Sequence, residues 1–544
     1  MALNDNTLNK EQTQKRILLA TLLSFAFFIA YDFLYLQPKQ ELALQEAKKQ
    51  QTQVVQNTNN TTTKNSAPQT VTAKNTPATT VSSSKIVSTI KTARNTIQID
   101  SFGRISQVLL TDRQYVEEDG KHIKLFAKDQ LKPLEVRFSN PDTNKEAFEV
   151  AVEASAQNLD ATKQKVTLTL TQKLTKTTLT KVLTFYPDGH YDIKVSSSDN
   201  SDFFITPGYR PDVIADVYAD HGAMISLNDG VLKIIEDEDM DKSVEFVGAN
   251  MASAFDRYYA TVLYNYNKNL QVSVMKNASN SPEAFIHVNG SLELSGYVGP
   301  KEYKTLNALD PRLTNVIEYG WFTFIAKPMF KLLQAIHGFI GNWGWTIVFV
   351  TILIKLILFP LSHKGMVSMN KLKELAPKIK QIQEKYKDDK QKASVHMMEL
   401  YQKEGANPMG GCLPMLLQIP VFFAIYRVLL NAIELKGAPW ILWIDDLGAM
   451  DPYFVLPILM GATMYLQQRM TPNTMTDPLQ QKMFQFLPVI FTFFFLWFPA
   501  GLTLYWFINN LFTMGQQYYV NQLFAKAKEE RHKKHLEEKS HKKK

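Results

Sequence analysis

One lysine lies inside an otherwise apolar stretch of the chain. Lys355 interrupts residues 346–359, which are otherwise almost wholly apolar. A charged lysine in the middle of a membrane span costs about 2.5–3.5 kcal/mol on insertion scales, so such residues tend to face a bundle interior or a wet cavity. Lys355 also stands five residues before Pro360, and its long side chain could instead reach the membrane interface. The sequence leaves both interpretations open.

Other polar side chains recur at similar depth in the apolar segments. They are Thr351, Gln418, Gln467, Gln468, Asn509 and Asn510. If they faced inward together with Lys355, they would outline a hydrophilic groove open to the cytoplasm. Each of them alone could equally form a hydrogen bond between helices. The chemistry of such a groove would be electrostatic rather than covalent.

The remaining reactive residues form no catalytic or metal-binding pattern. His122, His190, His221 and His287 are scattered without metal spacing, and the sequence contains no glycine-rich phosphate loop or nucleophile elbow. Cys412 is the only cysteine, so an extracytoplasmic domain must rely on its own core rather than on disulfides. We therefore expect a protein that is not an enzyme and that needs no cofactor, metal or small-molecule substrate.

Long apolar runs predict a polytopic α-helical membrane protein with six transmembrane helices. About 20 apolar residues are enough to cross a bilayer. The first run follows Lys15 and Arg16 and is not followed by a small-residue cleavage site, which favours an uncleaved signal anchor over a removed leader. The predicted spans are residues 17–36, 343–361, 412–433, 453–470, 483–498 and 501–520.

Four segments outside the spans have patterns of their own. Residues 37–91 are polar and almost free of aromatics, which predicts a disordered tether. Residues 92–310 contain alternating stretches such as 166–171, which predict a large extracytoplasmic β-sandwich domain. Residues 314–340 mix apolar residues with lysines, a pattern typical of an interfacial amphipathic helix. Residues 362–411 predict a helical hairpin, whose methionines suit either plain packing or an adaptable surface for apolar ligands.

The distribution of positive charge predicts the orientation. Residues 362–411 hold ten lysines and the tail 521–544 holds nine Lys or Arg, whereas the loop 434–452 holds only Lys436. Positively charged short loops stay in the cytoplasm. We therefore expect a cytoplasmic N-terminus (residues 1–16), a cytoplasmic hairpin and a basic cytoplasmic tail, with the β domain on the other side of the membrane.

Motifs in the C-terminal part resemble those of the YidC family of membrane insertases. The similarity is dense over about residues 320–520, and the order of anchor, tether and β domain resembles the Gram-negative form of the family. That form lies in the bacterial inner membrane with its β domain in the periplasm. The motifs are Asn407-Pro408-Met409-Gly410-Gly411-Cys412-Leu413-Pro414 with Gln418-Ile419-Pro420-Val421-Phe422, Asp451-Pro452-Tyr453 with Pro457-Ile458-Leu459-Met460-Gly461, Thr476-Asp477-Pro478 with Gln480-Gln481-Lys482, and Leu496-Trp497-Phe498-Pro499-Ala500-Gly501-Leu502-Thr503-Leu504-Tyr505-Trp506.

The resemblance implies a membrane protein insertase and chaperone without nucleotide or cofactor, working alone or with the Sec translocon. Its β domain would be a sandwich of the galactose-mutarotase type. The groove charge of the family, usually arginine, falls on Lys355. The polar and client-contact positions would comprise Thr351, Tyr505 and Trp506, with Gln418 at similar depth, and the apolar client slide would comprise Phe422, Met460 and Phe494.

The implied partners are nascent membrane proteins, the Sec translocon and membrane lipids. The basic tail leaves ribosomal RNA and anionic lipid open as ligands.

Two other classes of protein fit the sequence less well than an insertase does. A secondary transporter would show repeat symmetry or several intramembrane acidic residues, and only Asp32, near a span end, qualifies. A sugar-active enzyme on an anchored platform would need convergent carboxylates in the β domain.

Overall fold

The computed structural model describes residues 85–541, apart from residues 113, 117–120, 212, 214–219, 238–239, 241, 388, 406–412 and 471–477. The predicted N-terminal segment, the first predicted span and residues 37–84 of the predicted tether lie outside the described residues. The chain divides into two compact units. The first contains Met1–Thr111 and Lys121–Gly299, and the second contains Asp112–Gly120 and Pro300–Lys544.

The described part of the first unit consists of strands and one short helix, α1 (Pro141–Ala147), which Asn140 caps through its side-chain oxygen. The strands are β1 Ile86–Lys91, β2 Asn95–Asp100, β3 Ile105–Leu110, β4 Val136–Phe138, β5 Glu153–Ala154, β6 Asn158–Asp160, β7 Val166–Lys173, β8 Thr178–Phe185, β9 His190–Ser197, β10 Asp202–Ile205, β11 Gly222–Leu227, β12 Leu232–Glu236, β13 Val244–Phe255, β14 Tyr259–Tyr264, β15 Leu270–Lys276, β16 Pro282–Asn289 and β17 Ser291–Pro300.

These strands form a small sheet and a large sheet. The small sheet has four strands in the order β3-β2-β1-β6, and the large sheet has thirteen strands, with β11 and β12 branching from its main path at β13. Strands β7, β8 and β9 pair antiparallel in sequence order. Along β8 buried and half-buried residues alternate over its whole length, because successive side chains point to opposite faces of a sheet. The prediction of a large β-rich domain from period-two alternation is confirmed.

The predicted boundary between tether and β domain is wrong by about one strand. Residues 86–91, the end of the predicted tether, form β1, which pairs antiparallel with β2 and parallel with β6. Ile90 is fully buried and Ser88 is nearly so. Tertiary pairing from both sides therefore orders a stretch whose polar composition predicts disorder.

A buried lysine joins the two sheets of the first unit. Lys181 lies on the inward face of β8 and is 1% exposed. Its Nζ donates to the carbonyl oxygen of Gly103, in the turn between β2 and β3, at 2.9 Å, and to that of Leu134 at 2.8 Å. The β2–β3 turn of the small sheet is therefore held against the large sheet by a charged group that is itself removed from water.

We predict that Lys181 makes the stability of the first unit depend on pH. Burial lowers the pKa of Lys181 to about 7, below its value in an unfolded chain. Between those two pKa values the unfolded chain binds more protons, so the free energy of unfolding should rise with pH from about 7 upward, by at most about 1.4 kcal/mol per pH unit. Urea unfolding of a fragment comprising residues 85–300 at several pH values measures this slope.

The control for this prediction is Lys176→Met, which removes an exposed lysine near the start of β8. It should keep the pH slope of the parent fragment, whereas Lys181→Met should flatten it. Part of the slope should survive in Lys181→Met, because burial also lowers the pKa of Lys132, to about 8. Parallel slopes for the parent and for Lys181→Met would contradict the prediction.

The described part of the second unit is helical. Short 3-10 turns occur at Pro311–Val316, Gly320–Phe322 and Ile433–Leu435. The α-helices are α2 Tyr303–Leu309, α3 Thr323–Ile340, α4 Trp343–Ile357, α5 Phe359–Lys385, α6 Lys390–Lys403, α7 Leu413–Asn431, α8 Val455–Met470, α9 Pro478–Phe495 and α10 Ala500–His541.

The lengths and hydropathies of these helices were compared with those of membrane spans. Among the described residues, no single helix is both long enough and apolar enough to qualify. The pair α4 and α5 qualifies jointly, with a 64° bend between its halves, and two apolar helical stretches, Gln418–Asn431 and Lys482–Phe495, are shorter.

Several helix boundaries differ from those predicted; α9 begins at Pro478, before the predicted residue 483, and α10 continues to His541, beyond residue 520. The helix expected at residues 314–340 begins only at Thr323, because Gly320 adopts a left-handed φ of 66° that an α-helix does not accommodate. The helix expected at residues 343–361 ends at Ile357, and α5 starts at Phe359. Pro360 lies in the first turn of α5, where its missing N–H costs nothing, whereas in a continuous helix its ring would clash with the preceding turn.

Helices α5 and α6 pack against each other through apolar side chains. Leu372 and Leu375 form a buried cluster, on which Met369, Ile379, Leu400 and Tyr401 also pack. Lys378 and Glu404 add an ion pair at 2.7 Å. The methionines differ in their surroundings: Met369 contributes to packing, while Met398 is 51% exposed.

Candidate functional site

The ammonium group of Lys355 is buried against the long helix α10. Lys355 is 6% exposed, and its Nζ donates to Oγ1 of Thr513 at 2.9 Å. Within the part of the chain that the structure describes, Lys355 has no ion pair. Among the described residues, the positive charge is therefore held by a neutral hydroxyl and is not paired with a carboxylate.

The polar contacts continue from Thr513 to a third helix. Thr513 donates its own hydroxyl proton to the carbonyl oxygen of Asn509 at 2.7 Å, which leaves its lone pairs free for Lys355. Nε2 of Gln418, on α7, donates to Oδ1 of Asn509 at 3.0 Å. The contacts thus attach α4 to Thr513 and α7 to Asn509, one turn apart on α10, and Thr513 is linked to Asn509 through the backbone carbonyl.

Helix α10 presents a polar face along much of its inner length. Eight residues form this face. At 100° per residue they fall within a sector of about 140°, because they recur at intervals of three, four and seven. Asn510 and Gln516 are nine-tenths buried, and the Asn510 Nδ2 and both amide atoms of Gln516 lack hydrogen-bond partners among the described residues. The residues of this face are Thr503, Trp506, Asn509, Asn510, Thr513, Gln516, Gln517 and Asn521.

Not all of the predicted polar residues join this network. Thr351 is 2% exposed, but its hydroxyl donates to the carbonyl oxygen of Ile347 in its own helix. Gln468 donates to the carbonyl oxygen of Phe484 on α9, which makes it a tie between α8 and α9. Tyr505 is buried, 4% exposed, one residue away from the polar face of α10. The structure therefore brings together Lys355, Gln418 and Asn509, but not Thr351.

An aromatic cluster adjoins the polar face. The indole of Trp506 meets the ring of Phe422 edge-on with centroids 4.6 Å apart, and it also packs on Phe491 and Phe495. Of the other predicted slide residues, Met460 is fully buried and Phe494 is half-buried with its ring near Phe493. Phe422 therefore lies beside the polar network, at the edge of an apolar surface contributed by α7 and α9.

A buried carboxylate fixes the starts of the helices that carry the site. Asp451 is 1% exposed and accepts hydrogen bonds from Trp443 Nε1 at 3.0 Å and from the backbone N–H of Leu456, in α8, at 2.7 Å. In the same loop the carbonyl oxygens of Leu447 and Ala449 accept from the N–H groups of Gly501 and Ala500 at the start of α10. These contacts fix the depth at which α8 and α10 enter the bundle.

Sequence reasoning missed the residue that contacts Lys355. Thr513 follows Asn509 by four residues and Trp506 by seven, so the helical period alone places it on the same face. A threonine in an apolar run is easily taken for a side chain that only contributes to packing. The spacing of Thr513 from Asn509 was the available signal.

Nearly the whole chain is similar in sequence to one group of known proteins. Residues 335–528 match the family model described as 60Kd inner membrane protein, and residues 87–332 match the YidC periplasmic domain. The protein named membrane protein insertase YidC of Campylobacter jejuni is 52% identical over 533 residues, covering 97% of this chain and 99% of the relative. The protein of the same name from Wolinella succinogenes is 48% identical over 525 residues, covering 96% and 97%.

Solved structures of similar proteins overlap with this chain only loosely. A crystal structure described as an active YidC insertase with the first transmembrane domain resolved covers 80% of this chain and 95% of its own, with 18% identity and a TM-score of 0.36. A structure of YidC from Thermotoga maritima covers 79% and 99%, with 14% identity and a TM-score of 0.28.

We predict that Thr513 and Lys355 are energetically coupled. Thr513→Val removes the acceptor of a buried ammonium, and leaving such a group without its partner should cost about 1–3 kcal/mol. In a Lys355→Met background the same change should cost little, because no ammonium remains. The thermal unfolding midpoints of the four proteins in detergent test this coupling. Thr351→Val, whose hydroxyl bonds only within its own helix, should show no coupling; equal effects of Thr513→Val in both backgrounds would refute the contact.

Proposed function

The chain belongs to the YidC family of membrane protein insertases, and we propose that it inserts and folds other membrane proteins through a positively charged hydrophilic groove. Members of this family are inner membrane proteins with a periplasmic domain, and the β-rich unit matches that domain. The observation that carries the proposed mechanism is the buried ammonium of Lys355, which a neutral hydroxyl holds. A cation left without a carboxylate keeps its attraction for an acidic client.

The proposed topology has six spans with both termini in the cytoplasm. The spans are residues 17–36, 343–361, 412–433, 453–470, 483–498 and 501–520, the β domain lies in the periplasm, and the helices α5 and α6 form a cytoplasmic hairpin. The support is the charge of the loops: ten lysines in residues 362–411 against one in residues 434–452. The bend at Leu358, where α5 leaves the direction of α4, suits a chain that emerges from the membrane at this point.

The proposed groove lowers the cost of moving a polar segment across the bilayer. The barrier is chiefly the desolvation of polar groups over a hydrocarbon core of about 30 Å. Lys355, Thr351, Gln418, Tyr505 and Trp506 would line a polar path that shortens the dry distance. The ammonium would be a transient partner for an acidic flank of the client, and no chemical bond would change.

The client's apolar helix would then leave the groove sideways into lipid. The proposed slide consists of Phe422, Met460 and Phe494. The contact between Phe422 and Trp506 supports it, because it places an apolar surface directly beside the polar face. Met460 is buried in this conformation, so it would meet a client only after α8 has moved relative to its neighbours.

The proposed partners are nascent membrane proteins and membrane lipids, together with the Sec translocon for larger clients. The role of the Sec translocon rests on the family resemblance alone. The basic tail would add an attraction to ribosomal RNA or to anionic lipid, since it carries nine Lys or Arg residues in 521–544.

The test of the proposed function is insertion of two matched single-span clients, one with aspartates and one with asparagines in the flank that crosses the membrane. Lys355→Arg keeps the cation and should insert both clients nearly as well as the parent. Lys355→Ala should lower insertion of the aspartate client selectively, and Lys355→Glu should lower it further by repulsion in a poorly screened site. Insertion yields into proteoliposomes at equal protein content provide the measurement.

The asparagine client is the internal control of this experiment. It depends less on the charge, so it separates an electrostatic role of Lys355 from a structural one. If Lys355→Ala inserts both clients as well as the parent does, Lys355 is a snorkelling lysine and the groove-charge mechanism is wrong.

For the tail, we predict an attraction that weakens with salt, because contacts of Lys and Arg with phosphates are largely electrostatic. Removal of residues 526–544 should reduce co-sedimentation with ribosomes at low salt and have little effect at high salt. Flotation with anionic vesicles, run in parallel, distinguishes lipid from ribosome as the ligand. Ribosome binding that responds neither to the truncation nor to salt would exclude the ribosomal alternative.

A further inference from the structure

The broken helix pair α4–α5 is tied to α10 on both sides of its bend. The first tie is the hydrogen bond from Lys355 to Thr513, and Lys355 lies three residues before the bend at Leu358. The second tie lies beyond the bend, where Asn370 of α5 donates from Nδ2 to Oδ1 of Asn521 at 2.9 Å. Thr513 and Asn521, which accept these two hydrogen bonds, belong to one continuous helix, Ala500–His541.

The second tie is a cluster of three side-chain amides, here called the amide clasp: Asn370, Gln517 and Asn521. Oδ1 of Asn521 accepts from Asn370 and, at 2.8 Å, from Nε2 of Gln517. Asn370 is 6% and Gln517 4% exposed, so neither amide can exchange its partner freely for water. Because a buried donor without an acceptor is costly, the clasp should resist opening.

A neighbouring ion pair contributes much less. Nζ of Lys528 lies 3.1 Å from Oε1 of Glu374, about one turn beyond Asn370 on α5 and two turns beyond Asn521 on α10, but the lysine side chain is 67% exposed. Exposed pairs of this kind are worth little because water and salt screen them. The amide clasp is therefore the contact that fixes the first turns of α5 on α10.

The clasp and the site are fixed relative to each other by α10. Thr513, Gln517 and Asn521 follow one another at intervals of four residues, so they lie on one face of the helix within about 12 Å. Lys355 lies in the last turn of α4, directly before the bend. A change in where α5 is attached to α10 would therefore act first on the turn that carries the ammonium.

We propose that Asn521 is a positioning residue for Lys355: by accepting hydrogen bonds from Asn370 and Gln517, it holds the bend between α4 and α5 at the angle that keeps the Lys355 ammonium on Thr513 in the groove. The functional part of this inference rests on the proposed function. The geometric part, an angle held by three amides, does not.

The chemistry of the clasp provides matched variants. Asn521→Leu has nearly the same size but no acceptor. Asn521→Asp keeps an oxygen that can accept from both donors, so it should restore what the leucine loses. Asn370→Asp removes the donor and places a carboxylate against Oδ1, so it should behave like Asn521→Leu. Gln522→Leu changes the adjacent, exposed amide and is the control.

The experiment uses the full chain with Cys412→Ser, reconstituted in lipid, and two readouts. The distance between spin labels at Glu384→Cys on α5 and Lys526→Cys on α10, two exposed positions, reports the attachment of α5. Insertion of the aspartate-flank and asparagine-flank clients reports the groove.

We expect narrow distance distributions for the parent, Asn521→Asp and Gln522→Leu, and broad ones for Asn521→Leu and Asn370→Asp. Insertion of the aspartate client should fall about tenfold in the two broadened variants, the change that the loss of one or two neutral hydrogen bonds gives. The asparagine client should fall much less.

The outcomes separate the clasp from the proposed function. An unchanged distance distribution in Asn521→Leu overturns the proposal, whatever insertion does. A broadened distribution with equal losses of both clients also overturns it, because the clasp would then be structural only. Tolerance of Asn370→Asp together with failure of Asn521→Asp would contradict the assignment of Asn521 as acceptor. If the parent inserts neither client, the proposed function fails, and the distance readout alone decides whether the clasp holds the bend.

Discussion

The arrangement of the helical unit depends on one constraint, the solvation of a buried cation. Lys355 has left water, and an ammonium in a medium of low polarity requires hydrogen-bond acceptors. Thr513 provides one, and it does so because Asn509 occupies its hydroxyl proton. The cation therefore requires α4 and α10 to keep fixed positions relative to each other. The side chain of Asn509 accepts from Gln418, which attaches α7 to the same turn of α10.

Helix α10 supplies the common frame for these contacts. Its first residues bond to the carbonyl groups of the loop that Asp451 organises, its middle carries Asn509 and Thr513, and the next turns carry Gln517 and Asn521. A continuous helix transmits position along its axis with little loss, because each turn is fixed by its own backbone hydrogen bonds. The pair α4–α5, by contrast, changes direction by 64° at Leu358, and its two halves each have their own contact with α10.

The fold was predictable where one pattern dominates and unpredictable where several compete. Alternation along β7 and β8 and the long apolar runs predicted the β-rich unit and the regions of α4, α7, α8, α9 and α10. The strand β1 escaped prediction because it adjoins the long polar segment, and one of its two pairing partners, β6, is remote in sequence. The end of α4 at Ile357 depends on the local effect of Pro360, which a hydropathy average over about 19 residues does not register.

For the site, the sequence identified Lys355, Gln418 and Asn509, because a charge or an amide in an apolar run is conspicuous. It did not identify Thr513 or Asn521. A threonine is unremarkable in such a run, and Asn521 lies just beyond the predicted end of the last span, where a polar residue needs no explanation. Thr351 was placed in the groove both by its depth in an apolar segment and by the resemblance, yet its hydroxyl bonds within α4. The hydrogen-bond partner of a short polar side chain depends on tertiary packing, which helical periodicity predicts only approximately.

Two buried lysines of this chain differ in how completely the described fold satisfies their hydrogen-bond donors. An ammonium has three N–H donors. Lys181 directs two of them to the carbonyl oxygens of Gly103 and Leu134, which join the two sheets of the β-rich unit. Lys355 directs one to Thr513, and among the described residues it has no other acceptor. Two of its donors thus have no acceptor among the described residues, and this difference from Lys181 supports the proposed role of Lys355 in binding a client.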